Sequence, residues 1–409
     1  MEIHRQSRPI SLAIVVPEML PVPPVKGGAV EHWVHEVAHR LSTEHFAITI
    51  VSRPSGITDN ASIQYIGIPW TRFEKACYWL KERVSWRNPL RYLAKLQNVL
   101  SYGLRLSKQV QSADVVIVHN EPNLLLLMRK PKQQKWVLHM HNDHLNHAFF
   151  KVFYQRVLQK VDTVICVSAY IQQTAAKTFP KYADKFKVLF NATDVDVFKP
   201  YGELADASVE ALLHLPKTTP FVLYVGRLTQ DKGVDVLIKA FQQVLKVQPQ
   251  AKLVIAGSSF FEGAAKTAYQ KSLQQLAEPI ADHIVFTGFI PHQQLKYLYA
   301  AAHVVVLPSV WQDPCPLVVL ESMASGTCII ASKVGGVPEV VDHGENGILV
   351  NPNQVDELAL AMIDLLQHPH RAQQLADAAR QKIVNGYAWQ HLVCKLEQEL
   401  LNLSNLKPL

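Results

Sequence analysis

A chain of 409 residues exceeds the size at which one hydrophobic core usually stops growing, so two domains are the default expectation. Hydrophobic residues at 48% and charged residues at 18% supply enough apolar surface for two cores, yet no apolar run approaches the ~20 residues of a membrane-spanning helix. The net charge is +7, and the five cysteines (Cys77, Cys166, Cys315, Cys328 and Cys394) are scattered without metal-ligand spacing, as in a reducing compartment. Only six mostly apolar residues lie between the charged start and Pro17, too few for a signal peptide, so a cytoplasmic location is expected.

In chain order, residues 12–17 read as a buried strand ended by Pro17, followed by a proline-rich loop to Gly27-Gly28. The next helix carries Val30, Trp33, Val34, Val37, Ala38 and Leu41 at helical spacing. Strands are predicted at 47–52, 114–119, 135–141, 161–168 and 187–190, with helical patterns between them, which makes the first half a parallel α/β sheet. Residues 72–108 concentrate basic side chains, among them Arg72, Lys75, Arg83, Arg87, Arg105 and Lys108, interleaved with aromatics such as Trp70, Phe73, Trp79 and Tyr102. Two readings fit this stretch: an anionic membrane surface or acidic acceptor, or a solvated helix face with its aromatics in the core. Nucleic acid is not indicated, because no recognised binding motif accompanies the charge. Residues 198–216 lack strong periodicity and carry prolines near both ends, so the linker is placed there. Beyond it, strands at 221–225, 251–256, 283–287, 303–308, 328–332 and 347–350 alternate with helices. Such a doubly wound sheet binds ligands beyond the carboxyl ends of its strands. An amphipathic stretch at 389–401 closes the pattern.

Two motifs in the second half carry chemistry. In Tyr224-Val225-Gly226-Arg227-Leu228-Thr229-Gln230-Asp231-Lys232-Gly233, a strand ends in glycine and a turn delivers a guanidinium fork and an ammonium point charge. That combination suits a diphosphate. In Asp313-Pro314-Cys315-Pro316-Leu317-Val318-Val319-Leu320-Glu321, two carboxylates stand eight positions apart across a turn and a helix start. They would span roughly 12 Å if fully helical. Between them the helix start would offer backbone N–H groups and a positive dipole end to a phosphate, with Pro316 at the first helical position.

The second segment resembles the acid-x7-acid motif of retaining glycosyltransferases of family 4, and the first resembles that family's Gly-Arg-x4-Lys-Gly element. The resemblance implies an α/β fold of GT-B architecture: two doubly wound Rossmann-like domains facing a cleft, with the C-terminal helix crossing back to the first domain. The domains expected are 1–197 with 386–409 on the acceptor side, a linker at 198–216, and 217–385 for the nucleotide sugar. It further implies that Arg227 and Lys232 hold the donor diphosphate and Glu321 grips the ribose. Asp313, Cys315, Pro316, Leu317 and Val318 would face the hexose and distal phosphate. Asp313 replaces the family's commoner glutamate, and Cys315-Pro316 replaces a common aromatic-glycine pair. Ile290, in Phe286-Thr287-Gly288-Phe289-Ile290-Pro291, is the candidate contact for the base, a plain hydrophobic turn being the alternative. The early loop Lys26-Gly27-Gly28 resembles the family's glycine loop near the phosphate or sugar; it lacks the spacing of a nicotinamide site and could also be only a turn.

In His139-Met140-His141-Asn142-Asp143-His144, the family's strand-end histidine facing the transferred sugar is best matched by His141, with His139 as competitor. Zinc is not expected there, since no cysteine is near. Asp194-Val195-Asp196, formally a metal motif, lies in a segment resembling the family's Asn-Gly-x-Asp junction. Expected, then, is a retaining, metal-independent hexosyltransferase with catalytic residues His141, Asp313, Arg227 and Lys232 and no resident cofactor. Its co-substrate would be a nucleotide diphosphate sugar, UDP-linked. Its acceptor would be a glycan or lipid-linked molecule in cell-surface polysaccharide or lipopolysaccharide synthesis, reached from the inner face of the membrane. A GT-B sugar-nucleotide epimerase and a non-catalytic nucleotide-sugar binder are the rival readings.

Overall fold

The computed structural model describes residues 8–24, 28–83, 89–146, 150–216, 219–258 and 267–404. The chain forms two compact units, Met1–Leu189 with Val393–Leu409, and Phe190–Leu392.

The first unit is built on seven parallel strands: β1 (Ile10–Val15), β2 (Phe46–Ser52), β3 (Ile63–Gly67), β4 (Val115–His119), β5 (Lys135–Met140), β6 (Thr163–Cys166) and β7 (Phe186–Val188). Their order is β3-β2-β1-β4-β5-β6-β7. The central strands are apolar almost throughout, and every residue of β4 is buried, because helices cover both faces of a parallel sheet. Helix Ala29–Arg40 follows β1 and buries Trp33, Val34, Val37 and Ala38. The edge strand β3 was not predicted from sequence. Only Ile63 of its five residues is buried, so the apolar run that marks an interior parallel strand is missing.

Part of the basic, aromatic stretch is internal structure. The buried Arg53 guanidinium donates to the carbonyls of Glu18 (2.7 Å) and Ile68 (3.1 Å), and lies 3.9 Å over Trp70 and 4.7 Å over Tyr102. Buried Glu74 accepts from Arg105 at 2.6 Å and from Arg53 at 3.4 Å. Trp70, Tyr102 and Arg105 are thereby committed to packing, whereas Phe73 and Trp79 are exposed. Trp86 and Arg87 lie outside the described residues, as do the side chains of 81–96.

The second unit holds six parallel strands, β8 (Phe221–Val225), β9 (Lys252–Ala256), β10 (Ile284–Gly288), β11 (Val304–Leu307), β12 (Ile329–Ser332) and β13 (Ile348–Val350), in the order β10-β9-β8-β11-β12-β13. Alternate residues of β8 enter two cores: Val222 and Tyr224 one, Phe221, Leu223 and Val225 the other. The expected linker 198–216 is corrected here. It contains helix Glu203–Leu213, and Phe198, Val209, Leu213 and Leu215 are buried in the second unit's core. The chain leaves the first unit earlier, after Leu189. The last helix, Trp389–Ser404, passes into the first unit from Val393; there Glu397 accepts from the Ser42 N–H at 2.7 Å and Glu399 pairs with Lys187 at 2.6 Å. Among the described residues no helix is long and apolar enough to cross a membrane.

Candidate functional site

In the second sheet β8 lies between β9 and β11, so the connections from β8 and β11 leave in opposite senses and open a crevice at their carboxyl ends. The loop after β8 carries Arg227 and Lys232, and the loop after β11 carries Asp313. Lys232 Nζ stands 2.5 Å from Asp313 Oδ2 and 5.4 Å from the Trp311 ring centroid. Only 14% of the lysine side chain and 8% of the aspartate side chain are exposed. The two loops interlock: Val310 N–H donates to the Asp231 carbonyl at 3.0 Å. Gly233, at φ 66°, packs against the Pro308 carbonyl so closely that a Cβ would overlap that oxygen.

Asp313 is also fixed through its backbone. Its carbonyl accepts from Gly336 N–H at 2.9 Å, Gly335 N–H donates to Gln312 Oε1 at 2.7 Å, and a Cβ on Gly335 (φ 52°) would overlap the Asp313 carbonyl. Arg227 is exposed on the same loop as Lys232, and its carbonyl accepts from Tyr224 OH at 2.8 Å. Among the described residues, three buried polar atoms of these two loops have no hydrogen-bond partner: Thr229 Oγ1, Ser309 Oγ and Trp311 Nε1. Nothing in the sequence marked them. Buried polar groups are ordinarily satisfied, so such a group of exceptions fits a surface completed by a polar ligand.

Past Asp313, the buried Cys315 gives its carbonyl to Asn191 Nδ2 at 3.0 Å, and burial pushes its thiol up to about 12, so it is a neutral wall rather than a nucleophile. Pro316 is not the first helical residue, as expected, but the N-cap, with extended ψ of 128°. Helix Leu317–Ala324 therefore begins with residues that do carry N–H groups, Leu317 and Val318, both half-buried. The first N–H groups of any helix lack an intrahelical acceptor.

Glu321, one turn further, is buried with both oxygens engaged: Oε1 is 2.7 Å from His292 Nε2, and Oε2 accepts from Tyr299 OH at 2.9 Å. Sequence reasoning missed both partners. The one available signal was that His292 follows Ile290 by two positions, at the start of the helix after β10. Ile290 itself is half-buried against the second unit's core, just before helix His292–Ala301.

In the first unit, Gly28 caps helix Ala29–Arg40 directly after the loop from β1; Lys26 and Gly27 lie outside the described residues. His141 follows β5 and belongs to a set of three histidines with His139 and with His119, the last residue of β4. His119 Nδ1 lies 3.0 Å from His141 Nε2, the His139 and His141 rings are 4.1 Å apart, and Trp33 packs at 4.6 Å from His139. Burial holds all three imidazoles below their usual range, His141 at about 3, so they are neutral near pH 7. Among the described residues neither nitrogen of His139 has a hydrogen-bond partner. The Asn120 side chain accepts from His141 N–H at 2.7 Å and fixes the loop. His119 was missed, although it sits directly opposite His139 in the β4–β5 register. Asp194 caps its own turn, accepting from the N–H groups of Asp196 (3.0 Å) and Val197 (3.1 Å).

Spore coat protein SA of Bacillus subtilis is 27% identical over 94% of this chain and 97% of its own length. Lipopolysaccharide 1,2-N-acetylglucosaminetransferase of Salmonella typhimurium is 26% identical over 96% and 98%. Among solved structures, sucrose-phosphate synthase of Thermosynechococcus elongatus superposes with a TM-score of 0.74 at 23% identity, over 96% of this chain and 99% of that one. Anabaena HepE in complex with UDP gives 0.73 at 19% identity, over 96% and 100%. The model for Glycosyltransferase Family 4 matches residues 27–197 and that for Glycosyl transferases group 1 matches 210–382. Taken with the two parallel sheets, these matches mean that the chain belongs to the family 4 glycosyltransferases of GT-B fold.

Proposed function

We propose that the protein transfers a hexose from a UDP-sugar, with retention and without a catalytic metal, to a glycan or lipid-linked acceptor of cell-surface polysaccharide or lipopolysaccharide synthesis. The observation that carries this reading is the Lys232–Asp313 pair at the switch point of the second sheet, with Arg227 on the same loop. Departure of a diphosphate from the anomeric carbon concentrates negative charge on phosphate oxygens. Two cations and the start of helix Leu317–Ala324 are suited to stabilise that charge where a divalent ion would otherwise serve. Asp313 holds the lysine in place and faces the sugar; Glu321, buffered by His292 and Tyr299, takes the ribose; Ile290 lies against the base. His141, neutral and anchored by Asn120, is the histidine that the family resemblance assigns to the transferred sugar. Similarity to a lipopolysaccharide N-acetylglucosaminetransferase and to a neighbour solved with UDP supports the choice of donor and acceptor class.

The test is a panel of UDP-, GDP- and ADP-sugars in thermal shift and in transfer to acceptor extracts, with EDTA present. Stabilisation by UDP-sugars, EDTA-resistant transfer and a product anomer matching the donor are expected. Abolition by EDTA or an inverted product refutes the mechanism, and release of a free epimer without acceptor replaces transfer with epimerisation. Membrane attachment through 72–108 is supported by the exposed Phe73 and Trp79. Phe73→Ser with Trp79→Ser should release the protein from anionic vesicles, and unchanged sedimentation with them would remove that part.

A further inference from the structure

A second cluster of ligating side chains lies in the first unit, on helix Ala29–Arg40 and the loop facing it, and the proposed reaction draws on none of its residues. His35 and His39 are four residues apart, hence on one helix face, with ring centroids 4.3 Å apart. Both turn their Nε2 atoms to one carboxylate from the loop between β2 and β3. His35 Nε2 is 2.6 Å from Asp59 Oδ2, and His39 Nε2 is 3.5 Å from Asp59 Oδ1. One ligating atom from each of the three residues lies within 4.8 Å of the others. Tetrahedral zinc bonds of about 2.0–2.2 Å place donors about 3.3 Å apart, a spacing these half-exposed side chains reach with small rotations.

The outer contacts are those of a ligand set. His39 Nδ1 is 2.8 Å from the His35 carbonyl, which can only accept, so Nδ1 carries the proton. Nε2 is then the atom that faces the carboxylate, and its lone pair can be given to a cation bound between them. His35 Nδ1 is backed by Glu36 Oε1 at 3.5 Å, and Tyr65 OH donates to Asp59 Oδ1 at 2.6 Å. Imidazoles hydrogen-bonded through their second nitrogen, and a carboxylate held by a hydroxyl, are the supports that metal ligands receive in proteins. The neighbouring groups are His32, 3.9 Å from Glu36, and Arg40, paired with Glu36 on the same helix. We infer that His35, His39 and Asp59 form a binding site for a divalent transition cation of the zinc type, open to water at a fourth position and tying the helix to the β2–β3 loop. Two imidazoles and one carboxylate suit zinc better than magnesium or calcium, which take oxygen ligands.

Zinc chloride titrated into EDTA-stripped, buffer-exchanged protein against a chromophoric chelator should show one tight equivalent and a raised melting temperature. His35→Gln with His39→Gln should lose that equivalent while melting like the stripped parent. Tyr65→Phe should weaken it ~10-fold through loss of carboxylate support. Cobalt in place of zinc should give the intense visible absorption of a four-coordinate site. His141→Gln should bind as the parent does; if it abolishes binding, the ion belongs to the buried histidines instead and the inference fails. Parent-like affinity in the double variant also overturns it. Should that variant misfold, Asp59→Asn on its loop replaces it, with parent-like affinity again counting against the site. Stripping should leave transfer unchanged, so loss of this site and loss of the proposed reaction are separate results.

Discussion

Replacing Lys232 by alanine has two consequences that can be measured apart. The ammonium and the Asp313 carboxylate are 2.5 Å apart and both largely buried. At that distance their attraction is about 7 kcal/mol in a medium of effective dielectric ~20, most of which the desolvation of both charges takes back. The pair therefore adds little net stability, but breaking it strands a buried carboxylate, which costs about 3–5 kcal/mol. The second unit spans Phe190–Leu392, and for a unit of this size each kcal/mol moves the melting temperature by about 2–4 °C. Lys232→Ala should thus lower its transition by roughly 6–20 °C and slow turnover on the order of 10²–10³-fold through loss of leaving-group stabilisation. Adding Asp313→Asn removes the stranded charge, so the double variant should melt well above Lys232→Ala while turning over no faster. Calorimetry and initial rates at saturating donor read the two effects. Recovery of turnover along with stability would reduce Lys232 to a structural role; failure of stability to recover would refute the buried pair.

Arg227→Ala should cost a comparable ~10²–10³ in kcat/KM with almost no change in melting, since the residue is exposed; a large melting shift would contradict that placement. Gly335→Ala forces a Cβ onto the Asp313 carbonyl and should depress turnover far more than it depresses the melting temperature, as rate and calorimetry together will show. Tyr299→Phe leaves Glu321 Oε2 buried without its donor, a loss of about 1–3 kcal/mol in chemical denaturation. The buried His119 and His139 and the half-buried His141 have folded-state values below the unfolded one, so the unfolded chain takes up more protons as pH falls through 6.5. Stability should be full above that value and fall towards pH 5 by up to about 2 kcal/mol per fully buried ring; a flat melting temperature between pH 7 and 5 would contradict neutral burial.

Interior parallel strands were legible because burial on both faces writes them as continuous apolar runs, as in β4 and β8. The edge strand β3 has no such requirement and left no run. Helix Glu203–Leu213 was hidden by the prolines flanking it, which punctuate a helix as readily as they punctuate a linker. The cations of the candidate site could be proposed from sequence because Arg227 and Lys232 share one contiguous loop. The pairing of Lys232 with Asp313, 81 positions away, was not, since it arises only when β8 and β11 become neighbours. His292 and Tyr299 escaped for the same reason: their relation to Glu321 is made by packing of one helix on another, and neither stands in a recognisable string.

The occupied state of Glu321 bears on selectivity. Each oxygen keeps a second acceptor position beside the imidazole or the phenol it already holds, so the two partners fix the directions left for an incoming diol. On the proposed reading, a ribose with two hydroxyls uses one such position on each oxygen, whereas a deoxyribose uses only one. Discrimination between ribo- and deoxyribonucleotides then follows from that preset geometry, and Tyr299→Phe should blunt it.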